Sequence, residues 1–201
     1  MSELLLATSN QGKIREYHQL LHGLRLEMVT LKDVGIDTVI AEDFLTYEEN
    51  AIHKASTCAA IAGLMTLADD SGLEVDALAG EPGVKSARYA GDNATDSDRV
   101  NYLLSKIKDV PWEKRTAKFK CVIAVAVPFG PAQLTEGECR GLIALEPKGN
   151  YGFGYDPIFY FPDLGKTMAE LSPEVKNKIS HRAIAAREAY PMLEKLVGRE
   201  L

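Results

Sequence analysis

The sequence predicts a single α/β fold, and three observations carry that prediction. Short apolar runs bounded by glycine or polar clusters alternate with segments whose apolar residues recur at helical spacing. The 201 residues, 46% hydrophobic and 26% charged, are enough to bury one real core. No internal repeat, low-complexity run or linker interrupts the chain, so residues 1–201 read as one domain.

Residues 3–7 read as a first strand, and 12–22 as a helix with Ile14, Tyr17, His18 and Leu21 on one face. Between them stand Thr8, Ser9, Asn10, Gln11, Gly12 and Lys13. A small polar loop from strand to helix suits an anion, because free backbone N–H groups and the positive end of the helix dipole face whatever occupies it. The hydroxyls of Thr8 and Ser9, the amide of Asn10 and the ammonium of Lys13 add donors for phosphate oxygens. An ordinary capped helix start has the same residues. P-loop spacing is absent: before Gly165-Lys166-Thr167, Tyr160 stands where the leading glycine belongs.

Residues 24–31 read as a second strand, and 34–41 as a loop or short strand leading to Glu42 and Asp43. Thr46-Tyr47-Glu48-Glu49 forms a capping box, Thr46 taking the third helical N–H and Glu49 reaching back. The helix it opens extends to about residue 63. Ala51, Ala55, Cys58, Ala59 and Ala62 give it a small-residue stripe for close packing on a sheet. Lys54, on the same helix, either reaches a phosphate or stays solvated. The acids at 42, 48 and 49 also have a plain use, since negative charge stabilises a helix start.

Residues 64–68 form an apolar run that delivers Asp69 and Asp70 into Ser71-Gly72. That pattern predicts a buried strand with polar chemistry at its carboxyl end, then a turn. Successive strand residues point to opposite faces, so only one of the two acids faces a given site. Two carboxylates about 4 Å apart at an effective dielectric near 20 repel by roughly 4 kcal/mol, so a metal ion, a basic group or a shared proton must answer them. A strand end that merely caps the next turn is the other reading.

Further on, Thr95-Asp96-Ser97-Asp98 caps a helix carrying Val100, Leu103, Leu104 and Ile107 and ending before Pro111. Residues 116–127 alternate as a strand, and 133–145 form one or two more, with Gly137 and Gly141 as bulges or bends. A glycine-rich loop over 147–154 leads into Phe153, Gly154, Tyr155 and Asp156, whose aromatic rings either stack a base or plug a core edge. Residues 158–161 read as a strand. Thr167 and Glu170 form a capping box, Ser172-Pro173-Glu174 starts a helix, and Ser180-His181-Arg182 leads the last one, which Pro191 kinks or breaks. A His-Arg pair at a helix start serves either a site or an exposed cap.

The formal net charge of −6 argues against wide contact with a nucleic-acid backbone. A small polyanion remains possible if a divalent cation bridges it. Cys58, Cys121 and Cys139 lack metal-ligand spacing and sit in apolar surroundings, which suits core thiols in a reduced compartment. The amino-terminal apolar run is too short for a signal peptide or a membrane span, so the expectation is a cytoplasmic protein off the membrane. A polar cradle, several acids, an aromatic glycine loop and a late basic pair in one small acidic domain together suggest a magnesium–nucleotide site.

Five ordered blocks carry a resemblance across nearly the whole chain: TSNQGK at 8–13, TYEENAIHKA at 46–55, ADDSGLEVDALAGEPGVKSARYAG at 68–91, FGYDPIF at 153–159 and KNKISHRA at 176–183. Together they resemble the inosine/xanthosine triphosphate pyrophosphatase family, house-cleaning enzymes that hydrolyse deaminated purine nucleotides and keep them out of DNA and RNA. The resemblance implies a central mixed, twisted sheet flanked by helices, and two lobes with an active-site cleft between them. It also implies a homodimer and dependence on Mg2+. The reaction it implies turns ITP, dITP or XTP and water into the monophosphate and pyrophosphate.

By matching position, Thr8, Ser9, Asn10, Gln11, Gly12 and Lys13 bind the triphosphate, and Asp70 is both metal ligand and proton acceptor. Glu42 is a second metal-binding acid, and Ser71 touches substrate. Phe153, Gly154, Tyr155 and Asp156 line the base and sugar pocket, which Lys176, His181 and Arg182 complete. Lys54 takes up charge on the leaving pyrophosphate, and Asp69 supports. Lys85 stands where the family commonly has an aromatic, and Tyr151 where it often has glycine. Donors from His181, Arg182 or the backbone suit an oxygen at position 6 of the purine and are left unpaired by an amino group there. Two other readings are a pyrophosphatase for other modified nucleotides and a nucleotide-binding regulator without turnover.

Overall fold

The chain runs β1 (Ser2–Leu6), α1 (Gln11–Leu20), β2 (Leu26–Thr30), α2 (Tyr47–Ala62), β3 (Met65–Val75), α3 (Asp96–Lys106), β4 (Thr116–Ala126), β5 (Gln133–Ile143), β6 (Phe159–Phe161), β7 (Lys166–Thr167), α4 (Pro173–Ile179) and α5 (His181–Val197). These elements come from a computed structural model that describes residues 2–38 and 40–198. The strands form one mixed sheet in the order β2-β1-β3-β4-β5-β6-β7. β1 pairs in parallel with β2 and with β3, whereas β5, β6 and β7 pair antiparallel. The expected α/β class and mixed sheet are therefore present.

Two compact units divide the chain: one holds residues up to 70, 121–137 and those from 182 on, and the other holds 71–120 and 138–181. In the first, Leu4 and Leu6 of β1 and Met65 and Leu67 of β3 share one core with Ile14, Tyr17 and Leu21, and with Ala185, Ala189 and Leu193 of α5. Strand alternation leaves Leu5, also fully buried, on the opposite face of the sheet. Ala51, Ala55, Cys58 and Ala59 of α2 are buried as the small-residue stripe predicts, whereas Ala62 at its end is half-buried. In the second unit Leu73, Val75, Leu103, Ile107, Phe119, Phe159 and Phe161 form a separate core.

Several expectations need correction. β3 does not end at the acids: it runs through Asp69, Asp70, Ser71 and Gly72, because Leu73 and Val75 beyond them are buried in the second core. Residues 133–143 form one strand. Gly141 lies in it because a Cβ there would sit 2.5 Å from the Tyr160 carbonyl oxygen, a close approach and not a bend. His18 is exposed, so the apolar face of α1 is the narrower set of Ile14, Tyr17 and Leu21. Glu49 reaches back, but to the hydroxyl of Thr46, which donates to it at 2.8 Å. Thr167 and Glu170 do form a capping box, around a single 3-10 turn. Pro191 lies inside α5 without ending it, since buried Ala189 and Leu193 hold the helix to its core on either side of the missing N–H. Over 34–41 the described residues form no strand, and Val39 lies outside the described residues. All three cysteines are buried thiols.

Candidate functional site

In the first unit the site begins where β1 stops. Leu6 pairs with Leu67, and the Ala7 N–H donates to the Leu67 carbonyl at 2.8 Å. β3 continues past that point, so Asp69 and Asp70 emerge beside the loop that follows β1. The chain leaves β1 for β2 on one side and returns as β3 on the other, a switch point where α/β sheets bind ligands at the carboxyl ends of their strands.

The loop is organised by its own side chains. Asn10 is the N-cap of α1: its Oδ1 accepts the N–H groups of Gly12 at 2.8 Å and Lys13 at 3.1 Å. Thr8 Oγ1 in turn accepts the Asn10 N–H at 3.2 Å. The expectation of free backbone donors is corrected accordingly, because three of them are engaged inside the loop. Ser9, Asn10 and Gln11 are exposed, and Thr8 and Lys13 are half-buried.

Asp69 and Asp70 do face opposite ways. Asp69 is 1% exposed, and its Oδ2 receives Lys13 Nζ at 3.0 Å, Arg182 Nε at 3.3 Å, Arg182 Nη2 at 3.2 Å and the Cys121 thiol at 3.7 Å. Burial alone would push its carboxyl up, but Lys13, then Arg182, then Lys54 hold it well below the usual carboxylate range. Beside it the Cys121 thiol is pushed up to about 12 by burial and by the Asp69 charge. Asp70 meets α2 instead, where Asn50 Nδ2 donates to its Oδ2 at 2.9 Å. Burial and then the Glu42 charge push Asp70 up to about 6, against the pull of Lys13, Asn50 and Lys54.

Lys54 is buried, which excludes the solvated reading of it. Its ammonium pairs with Glu42 and donates to the Asp69 carbonyl oxygen at 2.8 Å. Burial alone would lower its pKa, yet Glu42 and Asp69 raise it, so it stays a cation. Arg182 is the largest change from expectation. Its side chain is 2% exposed, with Nη1 on Glu16 at 2.7 Å and the remaining donors on Asp69. A guanidinium this deep must face paired carboxylates, and two of them hold it here. It therefore anchors Asp69, a partner that the sequence did not announce.

The second unit holds the other expected residues. Lys176 and Asp156 form a buried ion pair, the Phe153 N–H donates to Asp156 Oδ2 at 2.9 Å, and the Lys176 ammonium sits 5.0 Å from the centre of the Phe153 ring. Gly152 permits this closeness, since a Cβ there would overlap the Asp156 carboxylate. His181 is buried, its ring stacked on Phe119 with centroids 4.6 Å apart. Ser71 and Phe153 are half-buried, and Tyr155 is buried with its hydroxyl donating to the Ser86 carbonyl at 2.9 Å. Tyr151 is exposed, and its N–H is fixed on the Ala169 carbonyl at 3.0 Å. Lys85 is exposed on a 3-10 turn.

Sequence reasoning missed Asn50 and Asp96. The first is a buried amide among alanines, and that was the only available signal. The second accepts the Gly154 N–H at 2.7 Å while pairing with Arg99, a contact 58 positions apart that no local pattern reveals.

A mixed α/β sheet with a polar strand–loop–helix beside two carboxylates of opposite character defines an α/β protein equipped to hold a polyanion. Residues 4–192 match the model of the Ham1 family, and the chain belongs to that family. It is 47% identical over 198 residues to a dITP/XTP pyrophosphatase of Geobacillus kaustophilus, covering 98% of this chain and 97% of that one. Among solved structures, a HAM1 protein from Coxiella burnetii superposes with a TM-score of 0.88 at 42% identity, covering 97% of this chain and 100% of the other. The Staphylococcus aureus Ham1 protein gives a TM-score of 0.86 at 41% identity, with the same coverage. No helix of the described residues is long and apolar enough to cross a membrane.

Proposed function

We propose that this chain is a nucleoside triphosphate pyrophosphatase that hydrolyses deaminated purine nucleotides, ITP, dITP and XTP, to the monophosphate and pyrophosphate. The observation that carries the reading is the placement of two adjacent carboxylates beside the polar loop that follows β1, Asp69 fixed by Lys13 and Arg182 and Asp70 turned to Asn50 on the other face. Asp70, pushed up by burial and by the Glu42 charge, is the one of the two suited to take a proton from water. Membership of a family whose relatives are named dITP/XTP pyrophosphatases supports the substrate class.

Asp70 takes the proton of the attacking water as its oxygen bonds to the α-phosphorus. The bond from that phosphorus to the bridging oxygen breaks, and pyrophosphate leaves. Lys13 and Lys54 offer positive charge to the phosphates, and the loop of Thr8, Ser9, Asn10, Gln11 and Gly12 seats them. Glu42 and Asp70 would hold Mg2+, which supplies charge neutralisation and orients the phosphates. Their chemistry fits: the repulsion between them is what a divalent cation relieves, and Mg2+ usually takes one or two carboxylates and completes its shell with phosphate and water.

Ser71, Phe153, Gly154, Tyr155, Asp156, Lys176 and His181 are assigned to the base and sugar, with Arg182 holding Asp69. The proposal treats 1–201 as one catalytic domain, working as a homodimer in the cytoplasm. Anion-exchange analysis after incubation with ITP, XTP, dITP, GTP and ATP tests it. Monophosphate and pyrophosphate should form from the first three, little from the last two, and none in chelator. Diphosphate and phosphate would place attack at the γ-phosphorus and overturn the mechanism.

A further inference from the structure

The geometry assigns Asn50 as a positioning residue: one buried carboxamide holds the Asp70 carboxylate and, at the same time, the backbone of the loop that carries Glu42. The inference rests on the proposed role of Asp70 as the base. Asn50 is 1% exposed in the first turns of α2. Its Nδ2 donates to Asp70 Oδ2 at 2.9 Å and to the Phe44 carbonyl oxygen at 3.3 Å, and its Oδ1 accepts the Phe44 N–H at 3.1 Å. Both amide hydrogens and the carbonyl are thus in use. The orientation of the amide is fixed as well, because the Phe44 N–H needs the oxygen and the carboxylate needs the nitrogen.

Phe44 is held by both of its backbone polar groups, as a neighbouring strand would hold it, two residues after Glu42. The same amide sets the direction of Asp70. The two acids assigned to the reaction are therefore placed through one side chain, and no other residue type of that size supplies two donors and an acceptor there. Aspartate lacks the donors, and leucine leaves the buried carboxylate oxygen and the Phe44 groups without those bonds. Ala51 and Ala55, buried on the same helix, seat α2 closely enough to leave the amide little freedom.

The test uses Asn50→Ala and Asn50→Leu, with ITP and Mg2+ for kinetics and the metal-free protein for amide hydrogen exchange. Both variants should lose about 100-fold in kcat, the scale of a misplaced reacting group, with KM within about threefold of wild type. In Asn50→Ala the Phe44 amide should exchange at least about tenfold faster while the Leu5 amide of β1 keeps its protection, which separates a local release from general unfolding. The inference is overturned if Asn50→Ala keeps kcat within about threefold of wild type, or if its Phe44 exchange is unchanged. Asn50→Leu is close to asparagine in shape and removes the donors and the acceptor without adding a charge beside Asp70, so it decides the kinetic question alone should the alanine variant not fold. If wild-type protein makes no monophosphate from ITP, the functional reading fails instead, and the Phe44 exchange still reads the clamp.

Discussion

Asp69 and Asp70 are adjacent on one strand, and their surroundings differ in almost every respect. The Asp69 side of β3 is a sealed electrostatic network: Lys13, Arg182 and the Cys121 thiol converge on one oxygen, and Glu16 takes the other end of the guanidinium. On the Asp70 side the influences are mixed: burial and Glu42 push the carboxyl up, while Lys13 and Lys54 pull it down. Asn50 gives it one hydrogen bond, and Glu42 repels it. What separates the two carboxylates is the face of the strand and the charge of the neighbours, since residue type and chain position are as alike as they can be. The surroundings hold one acid ionised and push the other toward its neutral form.

The largest test of that contrast is Asp70→Asn. Turnover should fall about 1000-fold, the scale of losing a general base. Stability should rise at the same time. The Asp70 pKa is raised in the fold, so its stabilising contribution is full below about pH 4 and is lost as pH rises through about 6. At pH 8 the wild type therefore carries a penalty of at most about 3 kcal/mol that the asparagine variant lacks. Urea denaturation should show the gain at pH 8 and none below pH 4. A variant less stable than wild type at pH 8 would mean that Asp70 is as well compensated as Asp69.

On the other face, Arg182→Met should cost about 3–5 kcal/mol by urea denaturation, because it leaves the buried Asp69 charge with only part of its cationic support, from Lys13 and Lys54, and takes from Glu16 its guanidinium partner. A loss under about 1 kcal/mol would make the Asp69 side no different from an exposed ion pair and remove the contrast.

The two faces were legible in the sequence, but their occupants were not. The Asp-Asp pair after an apolar run announced opposite directions, and the capping signals at Thr95 and Thr167 located a helix and a turn correctly. Those are local patterns, in which a residue's partner lies three or four positions away. Arg182 reaches Asp69 across 113 positions, and β3 outlasts its acids because Leu73 and Val75 find a second core. Asn10 closes the loop on itself, a competition between cap and ligand that residue types alone leave open. Sequence pattern thus identified the groups, and long-range pairing decided which of them were already engaged.

A direct comparison comes from titrating the two carboxyls by NMR in the metal-free protein. The Asp70 midpoint should lie near 6, whereas Asp69 should remain ionised well below the usual carboxylate range. For Asp69 the linkage has the opposite sign. Its folded pKa is depressed, so its contribution is present above about pH 4 and disappears only as pH falls through the lower folded value. Acid should therefore relieve the Asp70 side first, as pH falls through about 6 toward about 4, and weaken the Asp69 side only below about pH 4. Coincident midpoints would abolish the distinction between the two faces.

The smallest expected effect separates the two causes acting on Asp70. Glu42→Gln removes the charge that repels it and takes from Lys54 its carboxylate partner, leaving that ammonium's charge less compensated near Asp70. Both changes favour the ionised form, so the Asp70 midpoint should move down. It should not return to the ordinary range, because burial is the larger cause and the substitution leaves it in place. A midpoint that stays near 6 would assign the whole shift to burial and leave Glu42 without electrostatic influence on the base. A full return to the ordinary carboxylate value would assign it to Glu42 alone, and the poise of Asp70 would then belong to the pair and not to its place on β3.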